Sequence, residues 1–96
     1  KVKENIKPLT DEEARKILEL EAVSFDYKNK DEGTDKRGFI AEDVAEILPN
    51  LVTPEQGERP ATLDYIEMIP YLQAIIKQQE LRIKALEEMI QSIKGE

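Results

Sequence analysis

The sequence predicts an α+β fold, in which a small helix and β-hairpin domain precedes a long C-terminal helix that forms a coiled coil. Two patterns predict it. The apolar residues change from helical spacing to a period of two between positions 11 and 27, and they follow a heptad repeat from position 65 onward. The 96 residues are 40% hydrophobic and 36% charged. So small and so charged a chain buries a thin core, which favours a protein completed by association.

The first 60 residues, which we call the body, are predicted to begin with an extended segment followed by a helix. Residues 1–9 read as an extended N-terminal segment. Thr10 and Glu13 have the spacing of a capping box, which marks the start of a helix. This helix is expected over residues 11–21, with one apolar face made by Ala14, Ile17 and Leu18.

A β-hairpin is predicted next in the body. A strand at 22–27 alternates, with Val23, Phe25 and Tyr27 on one face, and a return strand is expected at 37–40. The polar residues 28–36 form the connecting loop, and Gly38 permits a close backbone approach.

The rest of the body is predicted to be a short helix and a short strand. The helix spans 41–48, ends before Pro49, and turns inward Val44, Ile47 and Leu48. A strand is expected at 51–53, and the turn-rich residues 54–60 separate the body from a second unit, residues 61–96.

The second unit is predicted to be one long helix from position 65 to about position 94, capped by Asp64. At 1.5 Å per residue this helix would be roughly 45 Å long. Pro70 leaves two possibilities open: it kinks the first turns, or residues 65–69 form a separate turn and Pro70 opens the long helix.

The heptad repeat of this helix predicts a coiled coil. Isoleucines recur at position a, and position d begins with Tyr65 and includes the polar Gln79, which is either a tolerated layer or a device that fixes the register. We call the remaining a and d residues, with Gln79, the heptad stripe: Ile69, Leu72, Ile76, Gln79, Ile83, Leu86, Ile90 and Ile93.

The direction and partners of the helix are less fully determined by the repeat. Arg82 at position g and Glu87 at the following e would attract each other across a parallel seam. The apolar face also widens to include Ala74, Ile75 and Leu81, which we expect to pack on the body. The repeat does not count the chains, and the alternative is a long amphipathic helix that lies on its own domain.

The composition excludes several classes of function. The chain has no Cys and no His, so disulfides, zinc fingers and histidine-based triads are excluded, and we expect no metal or cofactor. A net charge of −7 argues against a nucleic-acid partner, and no apolar run is long enough for a membrane span. Ser24 has no lysine at a suitable local spacing and is interpreted as structural, and Ser92, at the frayed end of the coil, is interpreted as inert.

Several short motifs resemble the chaperone-of-endosialidase family, the self-cleaving C-terminal intramolecular chaperone domains of phage tail spikes and tail fibres. In chain order they are Lys3-Glu4-Asn5-Ile6, Phe25-Asp26-Tyr27-Lys28, Gly38-Phe39-Ile40-Ala41-Glu42-Asp43-Val44 with Leu48-Pro49 and Leu51-Val52, and Leu63-Asp64-Tyr65 leading into Ile69-Pro70. The resemblance covers nearly the whole chain.

The resemblance implies a homotrimer that aligns an upstream fibre or spike segment of the same polypeptide and is then released by cutting at its own N-terminus. The second unit would then be a parallel trimeric coiled coil. The protein would be made in the host cytoplasm as a virion precursor. The domain would then be removed from the tail fibre or stay attached to it.

The resemblance also implies a serine–lysine dyad with the pattern Ser-Asp-x-Arg-x-Lys-x-x-Ile. Lys3 takes the position of the dyad lysine, Lys1 that of the arginine, and Ile6 that of the final hydrophobic residue. The serine position falls three residues before residue 1, outside this sequence. The chain as given is therefore expected to be inert as an endopeptidase.

Two other functions stay open. One is a plain oligomerisation module that persists in the mature fibre, and the other is a tip module that binds a receptor through the 28–36 loop and its acidic surface. A Ser-Asp pair just upstream of Lys1 would favour the self-cleaving chaperone.

Overall fold

The computed structural model describes residues 2–95 as an α+β protein. Its extents are 65 × 40 × 23 Å, because a long C-terminal helix projects from a small body. The helices and strands, in chain order, are α1 (Asp11–Arg15), β1 (Val23–Phe25), β2 (Lys36–Gly38), α2 (Ala41–Ile47), β3 (Val52–Thr53), β4 (Thr62–Leu63) and α3 (Tyr65–Lys94).

The first helix begins as predicted but changes type. The Thr10 side chain accepts a hydrogen bond from the Glu13 backbone N–H over 3.1 Å, which confirms the N-cap. The α-helix ends at Arg15 and continues as a 3-10 helix over Lys16–Glu19. Three residues per turn shift the side chains around the axis. Ala14 and Ile17 are buried as predicted, but the prediction for Leu18 is wrong, since its side chain is 48% exposed.

The first hairpin is antiparallel, and its strands are shorter than predicted. Val23 pairs with Gly38 and Phe25 with Lys36. Beyond Phe25 the loop takes over the hydrogen bonds: the Asp35 N–H donates to the Asp26 carboxylate over 2.6 Å, and the Tyr27 N–H donates to the Gly33 carbonyl over 3.0 Å. The strand pattern therefore holds for residues 23–25, whereas Tyr27 lies outside the strand.

A second, shorter hairpin lies after α2. Val52 pairs with Leu63 and Thr53 with Thr62, so the turn-rich residues 54–60 form its tip. The short strand near position 52 was predicted, but its partner β4 was not, because a two-residue strand leaves too little periodicity to detect. This hairpin brings the chain back to the start of α3.

The core lies where the body meets the first half of α3. The body contributes Ala14, Ile17, Val44, Leu48 and Leu51, and α3 contributes Met68, Tyr71 and Ile75. The Tyr71 hydroxyl accepts a hydrogen bond of 3.0 Å from the Asn50 side-chain amide, so the one polar atom of this aromatic side chain has a partner at the edge of the core.

The long helix is continuous from Tyr65 to Lys94. The Asp64 side chain accepts a hydrogen bond from the Glu67 backbone N–H over 3.2 Å, which confirms the predicted cap. Pro70 lies inside the helix, so it does not open the helix. Its ring nitrogen carries no hydrogen, which leaves the Ile66 carbonyl without its helical donor. Ile66 is 78% exposed, and water can reach this part of the helix.

Candidate assembly surface and N-terminal segment

The heptad stripe is exposed along the full length of α3. Its seven apolar side chains are between 48% and 73% exposed, with Leu72 the least and Ile93 the most exposed. Gln79, the polar residue of the stripe, is also exposed. The predicted residues therefore share one continuous surface, and within residues 2–95 that surface is not covered by the body.

The body packs on a different side of the same helix. The buried residues of α3 are Met68 and Ile75 at position g and Tyr71 at position c. Gln78, the next c residue, accepts a hydrogen bond from Arg15 and donates one to the Asp11 carbonyl, both of 3.4 Å. The first half of α3 thus carries two apolar faces, one closed by the body and one open.

The prediction that the apolar face of α3 widens and packs on the body is confirmed for two of its three residues. Ile75 is buried and Ala74 is half-buried against the core, as expected. The prediction for Leu81 is wrong, because its side chain is 61% exposed. Gln78 makes hydrogen bonds to the first helix, and every residue from 79 to 95 is exposed, so Leu81 lies on the part of α3 that the body does not cover.

The second half of α3 stands clear of the body. Every residue from 79 to 95 is exposed, over a length of roughly 24 Å. Arg82 and Glu87 both lie in this part, at the positions that flank the stripe. Most helical stability in proteins comes from packing of an apolar face rather than from propensity, and this half of α3 has no such packing in the single chain.

Residues 2–9 of the N-terminal segment form no helix or strand. Its apolar side chains are open to solvent, with Val2 100% and Ile6 80% exposed. Lys3 is exposed, and the ion pairs formed within residues 2–95 involve Lys16, Lys30 and Arg37 instead. Lys1, which takes the arginine position of the family pattern, lies outside the described residues.

A small depression of about 190 Å³ lies between the end of the first helix and α2. Its apolar lining residues include Phe39 and Val44, and its acidic ones are Glu19, Glu21, Asp43 and Glu46.

Over the described part of the chain, no group of three or more acidic, His or Cys side chains is arranged to hold a metal ion. No helix between residues 2 and 95 combines the length and apolarity that a membrane crossing requires.

Sequence reasoning missed the contact that joins the first hairpin to α3. Tyr65 was assigned only to position d of the repeat, yet its hydroxyl accepts a hydrogen bond from the Phe39 backbone N–H over 3.2 Å. The close approach expected at Gly38 is confirmed, because a Cβ there would lie 2.6 Å from that hydroxyl oxygen. Gly38 was the only available signal, and it did not name the partner.

The body matches a known family. A family model described as chaperone of endosialidase matches residues 1–53, which run from the N-terminal segment to the end of β3 and exclude α3. No curated protein matches the chain. The family match supports a chaperone role, interaction with an upstream spike segment, and a phage tail-associated protein. Since the match covers more than half of the 96 residues and includes Lys3, the chain belongs to the chaperone-of-endosialidase family.

Proposed function

We propose that the chain is an intramolecular chaperone that assembles as a parallel homotrimer. The trimer aligns an upstream segment of a phage tail spike or tail fibre and is then released by autoproteolysis at its N-terminus. The observation that carries the proposal is the open heptad stripe on a helix that already packs on its own body.

The size of the open surface supports association. Contiguous apolar patches larger than a few hundred Å² are rare on monomers and mark interfaces. The stripe places seven Ile and Leu side chains on one side of α3, each about half or more exposed. Burying them between identical helices removes this apolar area from water without disturbing the core formed by Met68, Tyr71 and Ile75.

The proposed number of three chains is supported by family membership and not by the heptad repeat. Ile at a with Leu at d leans toward two strands, whereas Gln79 and Ile93 at d weaken that lean. Three chains are what membership of a family of tail-spike and tail-fibre chaperones implies.

The release step assigns Lys3 as the general base for a serine that lies upstream. A serine hydroxyl becomes a competent nucleophile when a base takes its proton. A lysine accepts that proton only where burial or a neighbouring cation disfavours its ammonium form. Lys3 is exposed in the single chain, beside the exposed Val2. Cleavage in this scheme waits until assembly and the upstream segment cover the N-terminal segment.

Sedimentation equilibrium tests the assembly. The wild-type chain should sediment at three times its mass of 11.0 kDa at micromolar concentration. Ile83→Asp, which places a charge in the stripe, should sediment as a monomer and keep a folded core, seen in the near-ultraviolet circular dichroism of Tyr71, because residue 83 lies on the exposed part of α3. Glu88→Gln is the matched control and should remain trimeric. A wild-type monomer or dimer contradicts the proposal.

A further inference from the structure

Ile66 is a large apolar residue at a position where the repeat elsewhere places polar ones. It lies at position e, and the later e residues are Gln73, Glu80, Glu87 and Lys94. Ile66 is 78% exposed, more than any apolar residue of the heptad stripe. Neither the core of the single chain nor the seam of a coiled coil accounts for it.

The body covers only one flank of the stripe. Tyr65 at d, Met68 at g and Tyr71 at c all face it, which places the body on the d, g and c side of α3. The e flank lies on the opposite side of the stripe. A shallow depression of about 480 Å³ runs along that open flank, with Ile69, Gln73 and Ile76 among its lining residues.

Parallel packing places the e flank of each helix against the g flank of its neighbour. In the second half of α3 this brings charged side chains together, such as Arg82 at g and Glu87 at e. In the first half the g flank already carries the body. The e flank of one copy therefore meets the body of the next copy instead of bare g side chains.

An aromatic pair joins the body to the first residue of α3. The rings of Phe39 and Tyr65 have centroids 6.4 Å apart and planes inclined by 34°. Tyr65 remains 49% exposed, so part of this pair is open to a partner. In register, Ile66 of one helix lies at nearly the same height as Tyr65 of the next, since consecutive residues differ by 1.5 Å along the axis.

We infer that Ile66 of each copy packs against the Phe39–Tyr65 ring pair of the neighbouring copy. The inference rests on the proposed parallel assembly and specifies its contacts. An aliphatic side chain on two aromatic rings buries apolar area from both partners. Because the Tyr65 hydroxyl also holds the Phe39 backbone, each β1–β2 hairpin is then fixed partly by the next chain.

Thiol labelling tests the contact, because the chain contains no Cys and single cysteines give unambiguous rates. Ile66→Cys and Glu87→Cys are a matched pair at position e, one beside the body and one beyond it. In the trimer, a maleimide should label Cys at position 66 about tenfold or more slowly than Cys at position 87. Adding Ile83→Asp should remove the difference, since the monomer leaves both sites exposed.

The outcomes separate this inference from the proposed function. A trimer in which the two positions label at equal rates, both fast or both slow, overturns the Ile66 contact and leaves the trimer standing. A wild-type chain that is not trimeric overturns both. As a second readout, amide exchange at Phe39 should be faster in trimeric Ile66→Ser than in trimeric Glu87→Ser. Equal Phe39 exchange in these two variants contradicts the contact.

Discussion

The Tyr65 hydroxyl accepts a hydrogen bond of 3.2 Å from the Phe39 backbone N–H. This bond joins the end of the first hairpin to the first residue of α3. A Cβ on Gly38 would lie 2.6 Å from the same oxygen and 3.3 Å from the Phe25 ring, so the contact requires a residue without a side chain at position 38. The Tyr65 side chain therefore couples the hairpin to the long helix, through its hydroxyl group and through its ring beside Phe39.

Substitutions of Tyr65 and Gly38 should have non-additive effects on the free energy of unfolding. Tyr65→Phe should lower the free energy of unfolding by about 0.5–1.5 kcal/mol, the usual net value of one hydrogen bond. Gly38→Ala should destabilise by roughly 1–3 kcal/mol through overpacking. In the Tyr65→Phe background the Gly38→Ala cost should be smaller, because the nearest atom to the new Cβ is gone.

Urea unfolding at fixed protein concentration measures the four free energies of this cycle. Gly57→Ala is a poor control, since Gly57 has φ 60°. Ala61→Gly, outside the contact, should have the same effect in both backgrounds. Equal Gly38→Ala costs with and without the hydroxyl would show that the close approach to Tyr65 carries no energy.

The two leucines of the body with opposite burial should respond differently to truncation. Leu51 is fully buried in the core, so Leu51→Ala should cost about 2–5 kcal/mol through lost contacts and a cavity. Leu18 is half-exposed, and Leu18→Ala should stay within about 0.5–1 kcal/mol. Thermal or urea unfolding compares them. A large loss at Leu18 would contradict the half-exposed position of its side chain.

Local signals were readable from the sequence, and tertiary ones were not. Thr10 and Asp64 were identified as caps because a cap depends on residues three positions apart. Leu18 was misplaced because the change from an α-helix to a 3-10 helix after Arg15 has no marker in the local pattern. Tyr27 was misplaced because the loop hydrogen bonds of Asp26 and Gly33 end the strand early.

The exposed heptad stripe was predictable from the sequence, whereas the side of α3 that packs on the body was not. The heptad positions of the stripe follow from a regular repeat, and the structure places them on one open side of α3. The side that the body occupies depends on Met68 and Tyr71, whose spacing overlaps that of the repeat. Only the packed chain reveals which of these apolar residues are buried against the body and which stay exposed.

The stripe should be sensitive to truncation at its centre. Ile83→Ala or Leu86→Ala should each cost about 2–5 kcal/mol per site buried in the assembly and shift the trimer toward monomer. Ala at exposed Glu88, outside the stripe, should change little. Dilution series in sedimentation velocity give the dissociation constants. If all three variants weaken assembly equally, the heptad register assigned here is wrong.

The last prediction concerns Lys3, in a longer chain that carries the upstream serine and part of the fibre. This chain should cut itself just before that serine, and Lys3→Ala should block cutting while the trimer persists, because the N-terminal segment makes no part of the core. Lys3→Arg should block it as well, since a guanidinium stays protonated and cannot accept the serine proton. Lys7→Ala is the matched control: it removes an exposed lysine from the same segment and should cut normally.

Ile83→Asp should also abolish cutting in this longer chain, although residue 83 lies on the part of α3 that projects beyond the body. Gel electrophoresis over time separates the cut and uncut chains, and sedimentation reports their assembly. Cutting by Lys3→Ala would refute the dyad assignment. A monomeric Ile83→Asp chain that cuts at the wild-type rate would separate cleavage from assembly, even with Lys3 as the base. A trimer that aligns the fibre but never cuts would identify a plain oligomerisation module, in which Lys3 is an ordinary surface charge.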